Sequence, residues 1–266
     1  MTADALDTRW NGFLTKIRAR FDDLMRESVA GCAALLEQTG GDTVPVSNAW
    51  QGMRVRALGL QSKIGDTWSD SVQDKFHDIE AYKRADAAWH RAEELVDAIE
   101  VELERTETSI FAGAVRRLLT MAATEQAALR CSQCGAVLPA PVALRSIELA
   151  CPHCRSANTV EPGPRARMAE AMAHHIWREA CWSQWLAKHQ AERVAREART
   201  ASLAQLQAWE GAEIDYLSAY LRERATLMPD TTASLDKELR GRLHQFYQGL
   251  EREAAWRDAG SPRRVV

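Results

Sequence analysis

Residues 66–130 contain no proline, and this absence constrains the fold of the chain more than any other single feature. Their apolar side chains recur at steps of three, four and seven residues, which is the period of a helix with one buried face. One helix over this stretch would be roughly 95 Å long, at a rise of 1.5 Å per residue. A break at residues 106–109 is equally allowed, because the Thr and Ser side chains there compete for backbone hydrogen bonds.

The same helical period extends over most of the remaining chain. It covers residues 3–38, 165–227 and 234–257, and a second helix containing three glycines is predicted to begin at Ser47, whose side chain can cap it. Gly and Pro together make up only 22 of the 266 residues. Ala, Leu, Glu and Arg, which are strong helix formers, are abundant. The sequence therefore predicts an all-α fold.

Residues 131–161 interrupt this pattern with four cysteines, three prolines and short β-prone runs. They separate a helical region at 1–130 (the N-terminal half of a bundle) from a second helical region at 162–258 (the C-terminal half), which is followed by a flexible tail at 259–266. The simplest arrangement is an elongated helical bundle or antiparallel helical hairpin with the inserted module at its turn. The apolar spacing is not a strict heptad, which favours a bundle over an extended coiled coil.

The inserted module carries two closely spaced cysteine pairs. The motif reads Cys131-Ser-Gln-Cys134, then sixteen residues, then Cys151-Pro-His-Cys154. A two-residue spacer lets both thiolates of a pair turn toward one ion, and two such pairs complete a tetrahedral shell of four sulfurs. We therefore predict these four cysteines as metal ligands and His153, between two of them, as a bystander.

The module resembles a zinc ribbon over residues 131–161. The resemblance implies short β-strands at 137–138, 146–149 and 157–160, and one structural Zn²⁺ ion, but it implies no particular activity. Because all four ligands are protein thiolates, no coordination position is left for water or substrate, and catalysis at the metal is disfavoured.

Two other uses of the cysteines remain open. Four thiolates also suit an iron or iron–sulfur site. Cys151-Pro-His-Cys154 has the same residues as the active site of DsbA-like oxidases, although it lacks the strand–motif–helix context of a thioredoxin-like fold. The remaining two cysteines, Cys32 and Cys181, are predicted as buried core thiols.

Charge and hydropathy exclude several classes of protein. The 34 basic and 37 acidic residues give a net charge of −3, which provides no overall attraction to nucleic acid or anionic membranes. No apolar run is long enough to span a bilayer, and residues 1–20 lack the apolar core of a secretory signal. The expected location is the cytoplasm, where cysteines stay reduced.

Residues 131–161 hold two Arg, two Glu and no aromatic residue, so nucleic-acid binding through the module is not favoured.

These features predict a non-enzymatic helical adaptor or assembly component that binds a protein partner, with homo-oligomers also allowed. Three candidate contact surfaces stand out: the apolar stretch 137–144, which is either exposed at the tip or packed on the helices; the acidic tract 66–107; and the group Trp177, Trp182 and Trp185.

No catalytic or cofactor-binding constellation is evident in the sequence. It contains no Gly-rich phosphate loop before a helix and no His-Glu-x-x-His motif. The alternatives to an adaptor are a nucleic-acid-associated regulatory protein that uses Arg145, Arg155 and the C-terminal arginines, and a thiol redox protein.

Overall fold

The computed structural model describes residues 2–78, 81–126, 129–139, 142, 144–197 and 201–258, without the side chains of residues 126 and 252–258. The predicted tail at 259–266 lies outside the described residues. The elements, in chain order, are helices α1 (Ala3–Gln38), α2 (Val44–Ser71), α3 (Gln73–His77) and α4 (Tyr82–Gln126), strands β1 (Ile147–Ala150) and β2 (Ala157–Val160), and helices α5 (Pro164–Met172), α6 (His174–Ala180), α7 (Trp182–Glu197), α8 (Leu203–Leu227) and α9 (Leu235–Asp258).

Helices dominate the described residues and one small antiparallel sheet accompanies them, so the predicted all-α class fits. The first predicted helix is confirmed. It begins after Thr2, whose hydroxyl accepts a hydrogen bond from the Ala5 N–H. It ends before Gly40 and Gly41, whose φ angles of 62° and 93° turn the chain out of the helix.

The second helix differs from its prediction in where it starts. It begins at Val44 rather than at Ser47, with Pro45 in its first turn, where a missing N–H costs nothing. Its three internal glycines do not interrupt it.

The long proline-free tract is broken, but not at residues 106–109. A first break lies at Val72, α3 ends at His77, and α4 begins at Tyr82 and continues without interruption for 45 residues. Helix α4 packs against both α1 and α2. Burial of apolar faces against these neighbours determines where the helix ends, because isolated helices of this kind are only marginally stable.

The chain divides into two compact units, Met1–Met172 and Ala173–Val266. In the first, α1, α2 and α4 enclose a core whose largest fully buried side chains include Trp10, Phe21 and Trp50. Trp10 Nε1 donates a 2.9 Å hydrogen bond to the Ala88 carbonyl, which ties α1 to α4. Helix α5 belongs to this unit and packs against α4, so the chain returns to the helices after the cysteine module.

The second unit contains α6–α9 and a short 3₁₀ helix, Pro229–Ser234. The predicted helical stretch 165–227 is therefore not one helix but four, α5 to α8. Cys181, Tyr216 and Leu217 form a core cluster within the second unit. Trp177 is buried, with 8% of its surface exposed, so it is not part of an exposed aromatic group as the sequence suggested. Trp182 and Trp185 are half-buried and stack on each other.

In the part of the chain that the structure describes, no helix has the length and apolar character needed to cross a membrane.

Candidate metal centre

Each cysteine pair lies in the turn of a small hairpin. Strands β1 and β2 pair in antiparallel register from Ile147–Val160 to Ala150–Ala157, and the turn between them holds the second pair. The first pair lies between Arg130 and Val137, which form a single antiparallel bridge. Of the three predicted strands, those at 146–149 and 157–160 are present, the first of them shifted by one residue, whereas 137–138 makes only the bridge.

The two hairpin turns have the same backbone hydrogen bonds. In the first, the Gly135 N–H donates to the Cys131 carbonyl at 2.9 Å, and the Cys131 N–H donates to the Ala136 carbonyl at 2.8 Å. In the second, Arg155 donates to Cys151 at 2.9 Å, and Cys151 donates to Ser156 at 2.9 Å. The equivalence shows that the two-residue spacer produces the same local fold twice.

These turns bring all four cysteine sulfurs within 4.8 Å of one another. The Sγ atoms of Cys131 and Cys154 are 3.6 Å apart, and those of Cys134 and Cys151 are 3.7 Å apart. A disulfide would need about 2.05 Å. A tetrahedral zinc ion with Zn–S bonds of about 2.3 Å places its sulfurs about 3.8 Å apart, so the spacing fits four ligands around one ion.

The pKa values of the thiols also fit a cation bound between the four sulfurs. A hydrogen bond from the Ser156 hydroxyl is the largest influence that lowers the pKa of Cys131 to about 5, and it lowers the pKa of Cys154 as well. Cys134 accepts a hydrogen bond from the Ala136 N–H, which favours its thiolate, yet its sulfur contacts with Cys154, Cys151 and Cys131 raise its pKa to about 12. Thiolates this close repel one another, and a bound cation removes that repulsion.

Two residues that the sequence analysis did not single out support the sulfurs. Ser156 Oγ lies 3.2 Å from Cys131 Sγ and 3.0 Å from Cys154 Sγ. The buried Asn158 side chain accepts the Ser132 N–H at 3.0 Å and points its Nδ2 group to Cys131 Sγ at 3.6 Å. Asn158 thereby joins the second hairpin to the first. No sequence signal marks either residue, because both act through contacts between the two hairpins.

The module is fastened to the helices of the first unit by ion pairs. Arg145 Nε lies 2.7 Å from Glu170 Oε1 on α5, and Arg167 of α5 lies 4.0 Å from Glu161 of the module. Arg165 at the start of α5 in turn pairs with Glu125 near the end of α4. Ser146 donates a 2.6 Å hydrogen bond to Glu161 across the open end of the sheet. These contacts hold the module next to the α4–α5 pair.

The apolar stretch 137–144 is only partly packed where the structure describes it. Leu138 and Leu144 are buried, and Leu138 forms a small cluster with Cys131 and Cys151. Val137 is half exposed. The two leucines therefore stabilise the module and are not a contact surface for a partner.

The remaining cysteines and histidines are separate from this cluster. Cys32 and Cys181 are buried, as predicted, and the Cys181 thiol donates to the Trp177 carbonyl at 2.8 Å. His153 is exposed between two of the clustered cysteines. Over the described residues, the four cysteines form the single group of three or more His, Cys, Asp or Glu with a metal-binding arrangement.

A comparison of the chain with protein-family models, curated proteins and solved structures finds no match. The geometry of the cysteine cluster therefore carries the functional interpretation.

Proposed function

We propose that the four cysteines bind one structural Zn²⁺ ion and that residues 131–161 are a zinc ribbon. The observation that carries this proposal is the mutual spacing of the sulfurs, all within 4.8 Å and two pairs at 3.6 and 3.7 Å. The module has only a small apolar cluster of its own, so metal binding is coupled to its folding. Zinc fits better than a redox pair, because four sulfurs converge on one point, whereas a thiol–disulfide site needs only two.

We further propose that the chain is a non-catalytic adaptor or assembly component of the cytoplasm, where thiolate ligands remain reduced. Four protein ligands leave no open coordination position, which favours a structural over a catalytic metal. The outer surface of the two turns is exposed, and it presents Gln133, Val137, His153 and Arg155. We assign the protein-binding surface to these residues, in place of the buried leucines.

The metal is tested by elemental analysis of the purified full chain against the double variant Cys131→Ser/Cys134→Ser. We expect about one zinc per wild-type chain and none in the variant. Replacement by Co²⁺ should give the absorption bands of a tetrahedral four-sulfur site. Iron in place of zinc would point to the iron-site alternative, and wild-type chain that folds without any metal would refute the proposal.

The binding surface is tested by affinity capture from the native source. The variant Val137→Asp/His153→Ala changes exposed residues of the turns, and zinc content verifies that the module stays intact. The matched control is Val55→Asp/His90→Ala, which changes exposed residues of α2 and α4. We expect a partner protein that is captured by wild type and control but lost with the module variant. Equal capture by all three chains would refute the assignment, and salt-sensitive capture of nucleic acid alone would favour the regulatory alternative.

A further inference from the structure

Two short contacts between sulfurs join the first hairpin turn to the second. The Sγ atoms of Cys131 and Cys154 are 3.6 Å apart, and those of Cys134 and Cys151 are 3.7 Å apart. Each contact therefore links one cysteine of the first pair to one cysteine of the second. A disulfide bond is about 2.05 Å long, so a shift of about 1.6 Å between the sulfurs converts either contact into a covalent bond between the hairpins.

The two cysteines of each contact differ in their exposure to solvent. Cys134 and Cys154 are exposed, whereas Cys131 and Cys151 are buried. An oxidant in solution therefore reaches one sulfur of each contact first, and a second sulfur is already held beside it. An accessible cysteine next to a thiol that can displace the oxidised group is the arrangement typical of redox-sensitive sites.

The contact between Cys131 and Cys154 is held by two further side chains. The Ser156 hydroxyl oxygen lies 3.2 Å from the first sulfur and 3.0 Å from the second. The amide nitrogen of Asn158 lies 3.6 Å from Cys131 Sγ, and its oxygen accepts the N–H of Ser132 at 3.0 Å. These contacts keep the sulfurs of opposite hairpins side by side.

We propose that peroxide converts the module from a zinc-linked to a disulfide-linked form, with bonds Cys131–Cys154 and Cys134–Cys151. The inference rests on the zinc site proposed above and adds the regulation of that site. Oxidation releases the ion, and the two hairpins stay joined by covalent bonds.

The chemistry needs hydrogen peroxide as the oxidant. The exposed Cys154 thiolate attacks one peroxide oxygen, so that an S–O bond forms, the O–O bond breaks and hydroxide leaves a sulfenic acid. The Cys131 thiolate then attacks Cys154 Sγ, so that the S–S bond forms, the S–O bond breaks and a second hydroxide leaves. Two protons from the solvent convert both hydroxides to water. Cys134 and Cys151 react in the same way with a second peroxide molecule.

The pairing of the cysteines decides whether the module survives the loss of zinc. Zinc binds thiolates, so sulfurs joined in disulfides no longer hold it. A bond within each Cys-x-x-Cys pair would leave the hairpins without any link except the small apolar cluster of Leu138 with Cys131 and Cys151. Bonds between the hairpins replace the link that the ion supplies, so the oxidised module keeps its fold.

Titration of the zinc-loaded full chain with hydrogen peroxide tests the proposal. Zinc content before the titration tests the metal site separately, and a chromophoric chelator follows the release. We expect about two peroxide molecules consumed for each zinc released. Trypsin cleaves after Arg130, Arg145 and Arg155, so the bonds between the hairpins join peptides 131–145 and 146–155, and tandem mass spectrometry assigns the cysteines. The control Cys32→Ala/Cys181→Ala removes the cysteines of the helix cores and should release zinc at the same peroxide dose.

Hydrogen exchange is the second measurement. The oxidised, zinc-free chain should keep its protection at residues 147–160, whereas the reduced chain stripped of zinc by a chelator should lose it. Disulfides within the pairs, zinc retained in excess peroxide, or equal protection of the oxidised and the chelated chain would each overturn the proposal, and a zinc content of one before the titration would leave the metal site itself standing. A wild-type chain purified without zinc would refute both.

Discussion

Gly135 and Arg155 occupy equivalent positions in the two hairpin turns, and both have a positive φ, 73° and 59° respectively. Each follows the second cysteine of its pair, and each donates its N–H to the carbonyl of the first. The left-handed conformation is thus required by the turn, whichever residue fills it. Glycine adopts it without strain, whereas a side chain at this φ costs roughly 1–2 kcal/mol.

This equivalence predicts opposite effects for two substitutions. Arg155→Gly should stabilise the metal-loaded module by about 1 kcal/mol, and Gly135→Ala should destabilise it by a similar amount. Chelator-induced unfolding, followed by the release of zinc, measures both. Arg155→Gln, which removes the charge but keeps a side chain at the same φ, serves as the control for loss of charge. A destabilising Arg155→Gly would show that the guanidinium contributes more than the strain removes.

Substitution of the residues that contact the sulfurs should weaken metal binding without removing a ligand. We expect Ser156→Ala and Asn158→Ala each to lower the zinc affinity by about 10- to 100-fold, which is the usual effect of losing a hydrogen bond to a metal ligand. Competition with a chromophoric chelator measures the affinity. Exposed Thr159→Ala in the same strand is the matched control and should bind zinc as the wild type does.

Removal of zinc should unfold the module and leave the three long helices folded. The apolar core of α1, α2 and α4 contains no residue of the module, whereas the small cluster around Leu138 contains two of the four clustered cysteines. Hydrogen exchange after chelation should show lost protection at residues 131–138 and 147–160 and unchanged protection in α1. Protection that persists at 147–160 without metal would contradict the coupling of folding to metal binding.

The cysteine cluster could be predicted from the sequence because its arrangement is local. A two-residue spacer fixes the turn that directs both sulfurs of a pair to one side, and the four cysteines do lie together. Ser156 and Asn158 could not be predicted, since their contacts with Cys131 cross from one hairpin to the other. Arg155 was recognisable as a departure from glycine, but only the backbone angle shows that it takes the same conformation.

Helix type was predictable and helix boundaries were not. No proline or glycine marks the break at Val72 or the end of α3 at His77, because the helix ends here depend on the packing of α4 against α1 and α2. Thr108 lies where the sequence allowed a break as readily as a continuous helix, and it is fully buried in an unbroken helix. Similarly, Trp177 shares its helical periodicity with half-exposed Trp182, and only the tertiary structure of the second unit distinguishes them.

An arginine on α2 bridges two carboxylates of α4 and should contribute to the stability of the first unit. Arg54 contacts Glu104 at 2.7 Å and also Glu107, and the carboxylate side chains are only 17% exposed. We expect Arg54→Ala to lower the free energy of unfolding by about 1–3 kcal/mol, because it leaves two acidic groups without their shared partner. Urea unfolding measures the change. Exposed Arg56→Ala should alter stability by less than about 0.5 kcal/mol, and equal effects of the two variants would refute the assignment.

Acid should destabilise the second unit through one buried histidine. Burial lowers the pKa of His175 to about 3, and the positive charges of His174 and Arg178 act in the same direction. In the unfolded chain the pKa of a histidine is about 6.5, so between pH 6.5 and 3 the unfolded state binds one proton more than the folded state. The contribution of His175 to stability is therefore complete above pH 6.5 and is lost as the pH falls, by at most about 1.4 kcal/mol per pH unit.

Comparison of urea unfolding at pH 7, 6 and 5 between wild type and His175→Leu isolates this effect. The carboxylates and the cysteine thiols contribute equally to the pH dependence of both proteins. Their contributions therefore cancel when the free energies of unfolding of wild type and His175→Leu are subtracted. We expect wild type to lose more stability than His175→Leu over this range, even where the variant is less stable at pH 7. His244→Gln, which changes an exposed histidine of the same unit, should keep the wild-type pH dependence. A wild type and a leucine variant with parallel pH profiles would show that His175 is protonated in the folded protein as readily as in the unfolded chain.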